Sequence, residues 1–334
     1  MDRIISEVIS WPTQEPFRIS RSVVSEVTVV VVTITKAQFS GRGECRPYAR
    51  YNETAESVCQ QIESLKQELP SLSHDNLAQR LPNGAARNAI DCALWDLKAQ
   101  MTGKAVHELL NLPAPKARET AFTLSLASPE KMAKAAKAAA SYKFLKIKIG
   151  DLDGLDCALA VLKARPDAKL IIDANEALKP NELAGFQSKL AGESVALIEQ
   201  PIAAGTALPG AIENSLPLMC ADESLHTTAD LSRLWTEGYR AVNIKLDKAG
   251  GLSEGIELAK AAKAMGFKIM LGCMVSSSLS MAPALVLESY ADIIDLDGAL
   301  LLARDHENGM RYDNGHVYPA PKALWGYPRS VKAS

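Results

Sequence analysis

Phe144-Leu145-Lys146-Ile147-Lys148-Ile149-Gly150 alternates apolar and charged residues. A period of two is the signature of a β-strand, with Leu145, Ile147 and Ile149 on one face and Lys146 and Lys148 on the other. Alone, such a segment would be an edge strand showing its lysines to water. The chain that follows reverses that expectation. Apolar runs recur, each closed by an acid or a base: Leu170-Ile171-Ile172-Asp173, Ala196-Leu197-Ile198-Glu199, Leu218-Met219-Cys220-Ala221-Asp222, Val242-Asn243-Ile244-Lys245 and Ile293-Ile294-Asp295-Leu296-Asp297. Successive runs lie roughly 25 residues apart, the length of a strand–helix–strand repeat, and the last interval is about twice that. With the charge at the same end of every run, the pattern predicts the mouth of a parallel α/β barrel.

The bulk composition agrees with such a body. The 334 residues suit a barrel with a smaller companion domain, and 47% hydrophobic with 23% charged residues is the make-up of a soluble globular protein. A net charge of −2 gives no general attraction to nucleic acid or to an anionic membrane. Cys45, Cys59, Cys92, Cys157, Cys220 and Cys273 are scattered without a C-x-x-C pair, which argues against a zinc or disulfide framework. Asp2, Glu7 and Pro12 interrupt the region where a signal peptide needs an apolar core, and the apolar run Val27 to Ile34 is far short of a membrane span. The expectation is a cytoplasmic protein with reduced thiols, a small-molecule substrate, and neither nucleic acid nor membrane as partner. A homo-oligomer is compatible with the sequence, which does not set the oligomeric state.

Residues 1–115 do not share the barrel rhythm. Ile4 to Ile9 reads as a strand, and Val23 to Thr35, running through Phe39 into Cys45, as a meander of β-branched residues. Helices are expected over Glu53 to Leu69, His74 to Leu81 and Ala85 to Met101, the last with an apolar face of Ala89, Ile90, Ala93, Leu94 and Leu97. Strands first and helices after describe an α+β capping domain. The barrel domain is expected over 116–309, beginning with a strand at Thr120 to Leu126 and ending with Asp292 to Asp297. No good eighth helix follows, since Ala299 to Ala303 is too short and Arg304 to Gly309 is polar. The tail, about 310–334, contains a hairpin centred on Asn314-Gly315 and is expected to return to the capping domain.

In such a barrel the outer strand faces meet helices, so Lys146 and Lys148 must point inward. Two ammonium groups in a packed interior are costly unless carboxylates compensate them. Asp173, Glu199 and Asp222 close the next three strands and supply that compensation, and each alone would be no more than a helix cap. Together, three carboxylates from adjacent strands form an oxygen-only set suited to Mg²⁺, which keeps positions for water and substrate oxygens. Lys148 on the second strand and Lys245 on the sixth face each other across the barrel. That arrangement suits removal of a proton from one side of a carbon and its return to the other, with Lys146 as a supporting cation.

The ordered set of Lys146-x-Lys148, Asp173-Ala174-Asn175, Glu199-Gln200-Pro201, Asp222-Glu223-Ser224 and Lys245-x-x-Lys248-x-Gly250-Gly251 resembles the enolase superfamily, muconate-lactonizing subgroup. Lysine bases working with Mg²⁺ are an established feature of that superfamily, so their pairing comes with the resemblance. It implies a modified TIM barrel, (β/α)₇β, with an α+β cap built from both termini. It also implies Asp173, Glu199 and Asp222 as ligands of one Mg²⁺, with Lys148 and Lys245 as the acid/base pair. Asp295-Leu296-Asp297 at the end of strand eight resembles the dipeptide epimerases, where such a pair binds the substrate's α-ammonium. The stretches 43–51 and 84–92 are similar to those of L-Ala-D/L-Glu epimerases. On that resemblance the reaction is a 1,1-proton transfer at the C-terminal residue's Cα through an enediolate, in murein peptide recycling. Thr123, Asp295, Asp297 and Arg21 are then the expected substrate contacts, Arg21 on the glutamyl carboxylate with Arg18 as its near rival. Cys273-Met274-Val275-Ser276-Ser277 departs from members that carry a glutamate after strand seven. o-Succinylbenzoate synthase and muconate cycloisomerase share the metal set and lysines, but their substrates have no ammonium for Asp295 and Asp297. A non-catalytic acid-binding barrel would have lost at least one of the five chemical residues, and none is lost.

Overall fold

The computed structural model describes residues 2–19, 22–150, 154–209 and 216–329, with the side chains of 17–23 outside it. The chain starts as an antiparallel sheet of β1 (Arg3–Ile19), β2 (Ser22–Lys36) and β3 (Phe39–Cys45), with β2 in the centre. β1 is far longer than the strand expected at Ile4 to Ile9. It runs past Pro12 and Pro16 because it is an edge strand, where a missing N–H costs no ladder bond, and its register shifts between Pro12 and Phe17. The continuous β-branched run of β2 follows from burial on both faces. Val30, Val32 and Ile34 pack on helices, while Val27 and Val29 pack with Trp11 and Leu302.

The helices of this cap are α1 (Ala55–Ser64), α2 (His74–Arg80) and α3 (Ala85–Thr102). Thr54 and Ser57 form a reciprocal capping box at the start of α1. Ala89, Ile90, Ala93, Leu94 and Leu97 of α3 join the cap core as their spacing predicts. The fit of α3 on β3 depends on two glycines. A Cβ on Gly43 would sit 2.2 Å from the Ala89 carbonyl oxygen, and one on Gly41 2.2 Å from that of Ala93.

After a short α4 (Val106–Leu109) and β4 (Arg118–Glu119), eight parallel strands follow in chain order. They are β5 (Ala121–Leu124), β6 (Phe144–Lys148), β7 (Lys169–Asp173), β8 (Val195–Glu199), β9 (Leu218–Ala221), β10 (Ala241–Ile244), β11 (Lys268–Gly272) and β12 (Ile293–Asp295). Between them run α5 (Pro129–Ala138), α6 (Gly154–Ala164), α7 (Pro180–Ser188), α8 (Leu231–Thr236), α9 (Leu246–Ala249), α10 (Leu252–Ala264) and α11 (Ser278–Leu285). The seam between β12 and β5 is joined by side chains: Thr120 Oγ1 accepts from Leu296 N at 3.1 Å, and Asp297 Oδ2 from Thr123 N at 2.6 Å. Among the described residues no helix follows β8, and only a 3₁₀ turn, Gly298–Leu301, follows β12.

Leu145, Ile147 and Ile149 face the surrounding helices, as the alternation requires. Inside, Ala121, Ile171, Leu197, Cys220, Ala241 and Met270 form an apolar floor, one inward residue from each of six strands. The charged layer lies above it. The tail hairpin, β13 (Tyr312–Asp313) and β14 (His316–Val317), pairs with β4 at the entry to the barrel, not with the capping sheet. Only the chain beyond it returns to the cap: Trp325 Nε1 donates to the Cys92 carbonyl at 3.1 Å, and Arg329 pairs with buried Asp96 at 2.7 Å.

Gly43→Ala is expected to lower the urea-unfolding free energy by about 1–3 kcal/mol, because the obstructing atoms are α3 backbone and cannot swing aside. An unchanged unfolding midpoint would contradict this close approach of β3 and α3.

Candidate active site

Parallel register sets three charged residues side by side: Lys148 pairs with Asp173, and Asp173 with Glu199. Glu199 pairs with Cys220, so Asp222 stands two residues further along, just past the end of β9. Lys146 lies one inward position deeper than Lys148, and its extended side chain brings Nζ to 2.7 Å from Glu199, 2.8 Å from Asp295 and 3.2 Å from Asp173. Burial works against its charge, but Asp295, Glu199 and Asp173 outweigh burial and hold its pKa well above the ordinary value. Lys146 is therefore held as a cation among three carboxylates.

Lys148 Nζ donates to Asp173 Oδ2 at 2.6 Å and to Asn175 Oδ1 at 3.0 Å. Across the barrel, Lys245 Nζ donates to Asp222 Oδ2 at 2.7 Å and lies 3.6 Å from Glu199. Burial opposes the Lys245 charge too, and Asp222 and Glu199 again prevail, raising its pKa. Asp222 also accepts from buried Lys248 at 2.6 Å. Despite burial, Lys245 and Lys248 hold the Asp222 carboxyl far below the usual range, and Lys148 and Lys146 draw Asp173 down to about 2. Burial and then Asp173 push Glu199 up to about 7, and burial and then Asp222 push Glu223 up to about 8.

Several side chains that shape this layer carry no role in the sequence reading. Asn243 Nδ2 donates to Glu199 Oε1 at 2.7 Å, and Gly272 leaves room for it, since a Cβ there would meet the Asn243 amide at 2.3 Å. Its signal was available, because Asn243 shares the inward face with Lys245. Gln200 accepts from Asp222 N at 2.9 Å and donates to Ser224 Oγ at 2.8 Å, tying the end of β8 to that of β9. Gln200, Asn175 and Glu176 all have positive φ (32°, 43° and 69°), and such backbone strain gathers where strand ends must present side chains.

Asp295 and Asp297 sit on the wall opposite the three carboxylates. Asp295 Oδ2 takes Lys146, while its buried Oδ1 has no hydrogen-bond partner among the described residues. Burial and the neighbouring Asp295 push Asp297 up to about 6. Thr123 meets Asp297 through its backbone N–H. Arg21 lies outside the described residues, as does the Arg18 side chain. Arg50, a further arginine of the cap, is held by Glu176 in bidentate fashion, at 2.8 and 3.0 Å. The cap closes the cleft with Thr13, Val24, Arg46, Tyr48 and Tyr51, and the loop after β11 adds Met274 and Val275.

Among the described residues no three His, Cys, Asp or Glu side chains converge on a common metal-binding point. Lys146 and Lys245 instead place ammonium groups between the carboxylates. The residues nevertheless suit a divalent cation in two respects. Asp173, Glu199 and Asp222 offer hard oxygen donors from consecutive strand ends. The barrel wall also sets six carboxylates (Asp173, Glu199, Asp222, Glu223, Asp295, Asp297) against four ammoniums (Lys146, Lys148, Lys245, Lys248), a formal surplus of two negative charges.

Two sequence families match the chain: "Mandelate racemase / muconate lactonizing enzyme, N-terminal domain" over residues 4–111 and "Enolase C-terminal domain-like" over residues 130–323. The chain is 41% identical to the L-Ala-D/L-Glu epimerase of Escherichia coli (strain K12), over 92% of this chain and 97% of that protein. It is also 41% identical to an N-acetyl-D-glutamate racemase of a Pseudoalteromonas species, over 89% of this chain and 95% of that one. A crystal structure of an enolase family member from Agrobacterium tumefaciens, with bound sodium and L-Ala-L-Glu, superposes with a TM-score of 0.94. Its identity is 41%, covering 98% of this chain and all of that one.

With Glu199 at about 7, a divalent cation held by this carboxylate would compete with protons for it. Calorimetric titration with Mg²⁺ is expected to release about one proton at pH 6. Affinity is expected to tighten about tenfold per pH unit up to about pH 7 and then to level. Affinity that is flat across this range would contradict the role of Glu199.

Proposed function

The chain belongs to the mandelate racemase/muconate lactonizing enzyme family, and from that premise we propose that it is a Mg²⁺-dependent dipeptide epimerase of the L-Ala-D/L-Glu type. The observation that carries the proposal is the placement of Lys148 at the end of β6 and Lys245 just past the end of β10, four strands apart in an eight-stranded barrel, with acidic strand ends between them. A carbon held between these amines loses its proton to one and regains a proton from the other on the opposite side, which inverts it.

The Cα–H bond breaks, its electron pair moves into the adjacent carboxylate to give an enediolate, and the proton passes to the neutral lysine. The opposite lysine, entering as an ammonium, then protonates the other face. Nothing is consumed, and the two lysines exchange roles for the reverse direction. Acid–base catalysis of this kind supplies roughly 10²–10⁴-fold, too little for a carbon acid beside a carboxylate. What a divalent ion held by Asp173, Glu199 and Asp222 supplies is neutralisation of the charge that builds on the substrate carboxylate as the proton leaves. Lys146 adds a permanent positive charge beside it. Asp173 and Asp222 each hold one of the two catalytic lysines and so fix where each amine points.

Asp295 and Asp297 favour a dipeptide over an N-acylated amino acid or a cycloisomerase substrate. The unpartnered Asp295 Oδ1 and the raised pKa of Asp297 describe a buried acidic pair short of one cation, which an α-ammonium supplies. Thr123 orients Asp297 for that contact. With L-Ala-D/L-Glu as substrate, the enzyme takes its place in the cytoplasmic recycling of murein peptides. Among the described residues no helix is long and apolar enough to cross a membrane.

Epimerisation of L-Ala-L-Glu is expected to exceed racemisation of N-acetyl-L-glutamate by at least about 100-fold in kcat/KM, and the reverse order would overturn the role of the acidic pair. Lys148→Ala and Lys245→Ala are each expected to lower kcat by about 10³-fold or more. Either variant keeping a tenth of wild-type turnover would exclude the two-base reaction.

A further inference from the structure

Building on the epimerase function proposed above, we propose that Arg46 is the residue that selects an acidic C-terminal side chain, binding its carboxylate from the roof of the cleft. Arg46 directly follows β3, and the cap brings it over the barrel mouth. Two contacts fix it there. Its backbone N–H donates to Asp247 Oδ1 at 3.0 Å, just after Lys245, and its Nη1 donates to the Val275 carbonyl at 2.9 Å, in the loop after β11.

Among the described residues its guanidinium makes no ion pair, although the Asp247 carboxylate supports its charge from a distance. Each of the other three cations lining the cleft has a carboxylate close by: Lys146 at 2.7 Å, Lys148 at 2.6 Å and Lys245 at 2.7 Å. Among the described residues no carboxylate lies within ion-pair distance of the Arg46 guanidinium, whose one hydrogen-bond partner is a neutral carbonyl. Burial lowers its pKa from the ordinary value, yet an arginine stays charged at any physiological pH. A half-buried guanidinium without a counter-ion is a cost that a bound anion relieves.

The free edge has the right shape. With Nη1 taken by Val275, Nε and Nη2 remain, the edge with which Arg50 grips Glu176 and Arg165 grips Asp167. Two parallel N–H groups on that edge match a carboxylate in bidentate fashion.

The position agrees with the stereochemistry of the reacting carbon. Its proton must lie along the line from Lys148 to Lys245, its carboxylate toward β7–β9 and its amide nitrogen toward Asp295 and Asp297 at the end of β12. The fourth substituent is left to point out of the barrel, toward the cap. Charge agrees as well. With the ammonium of L-Ala-L-Glu given to the acidic pair and its α-carboxylate turned toward β7–β9, the glutamyl side-chain carboxylate is the one charge left for Arg46.

The test compares kcat/KM of the Mg²⁺-loaded protein for L-Ala-L-Glu and L-Ala-L-Gln, in wild type, Arg46→Met, Arg46→Lys and Arg21→Met. Arg46→Met is expected to lose roughly 30- to 1,000-fold on L-Ala-L-Glu, chiefly through KM, and less than about 10-fold on L-Ala-L-Gln. Arg46→Lys should recover part of the preference for the acidic substrate. Equal losses on both dipeptides would reduce Arg46 to a strut between Asp247 and Val275 and overturn the proposal. So would a collapse of the ratio in Arg21→Met but not in Arg46→Met. If the wild type turns over neither dipeptide, the epimerase function fails. Calorimetric binding of the two dipeptides to wild type and Arg46→Met then decides Arg46 by itself, with an acid preference lost in the variant supporting it and no preference overturning it.

Discussion

Everything at the barrel mouth depends on keeping opposed charges buried at hydrogen-bond distance without letting them cancel. Each ammonium there faces at least one carboxylate, and Lys146 faces three. An ion pair removed from water is stable only when its remaining valences are met, and removing one partner leaves the other stranded. Asn243 on Glu199, Gln200 on the Asp222 backbone and Lys248 on the Asp222 carboxylate meet those valences. The acids still outnumber the bases, which makes the layer receptive to a cation, and burial together with the neighbouring acids keeps Glu199 and Glu223 reluctant to ionise.

The cap is tied to this layer by polar contacts to the same loops that carry the chemistry. Arg87 of α3 donates to the carbonyls of Ala249 and Gly250, and Asp91 accepts from Ser253. Gly250 and Gly251 adopt positive φ there, and a Cβ on either would strike the Arg87 or Asp91 side chain. Glu44, at the end of β3, accepts from both the backbone and hydroxyl of Ser277 at 2.8 and 2.6 Å, and so holds the start of α11. The roof is thereby registered against Lys245 on one side and the Met274–Val275 wall on the other. A shift of the cap would move Arg46, Tyr48 and Tyr51 together.

Much of this was legible in the sequence because the period of a strand is two. Lys146 and Lys148 had to share a face, apolar neighbours had to share the other, and acids at the ends of successive runs had to meet at one rim. Asn243 escaped because a neutral amide in an apolar run looks like a tolerated polar residue, although it alternates with Lys245. The length of β1 escaped because the apolar pattern fades after Ile9, and only the sheet order makes Pro12 and Pro16 compatible with an edge strand. The hairpin at Asn314-Gly315 was plain, but its partner β4 is two residues long and carries no pattern. Arg46 could not be separated from Arg50 by sequence. Both lie in one polar stretch, and only the fold brings Glu176 to Arg50 and leaves Arg46 without a carboxylate.

The most direct measurement is proton NMR of L-Ala-L-Glu incubated with the protein and Mg²⁺ in deuterated water. The account predicts that deuterium replaces the glutamyl α-proton as L-Ala-D-Glu accumulates, that the alanyl α-proton is untouched, and that a chelator stops both changes. Exchange at the alanyl carbon, or exchange that survives complete removal of metal, would contradict it.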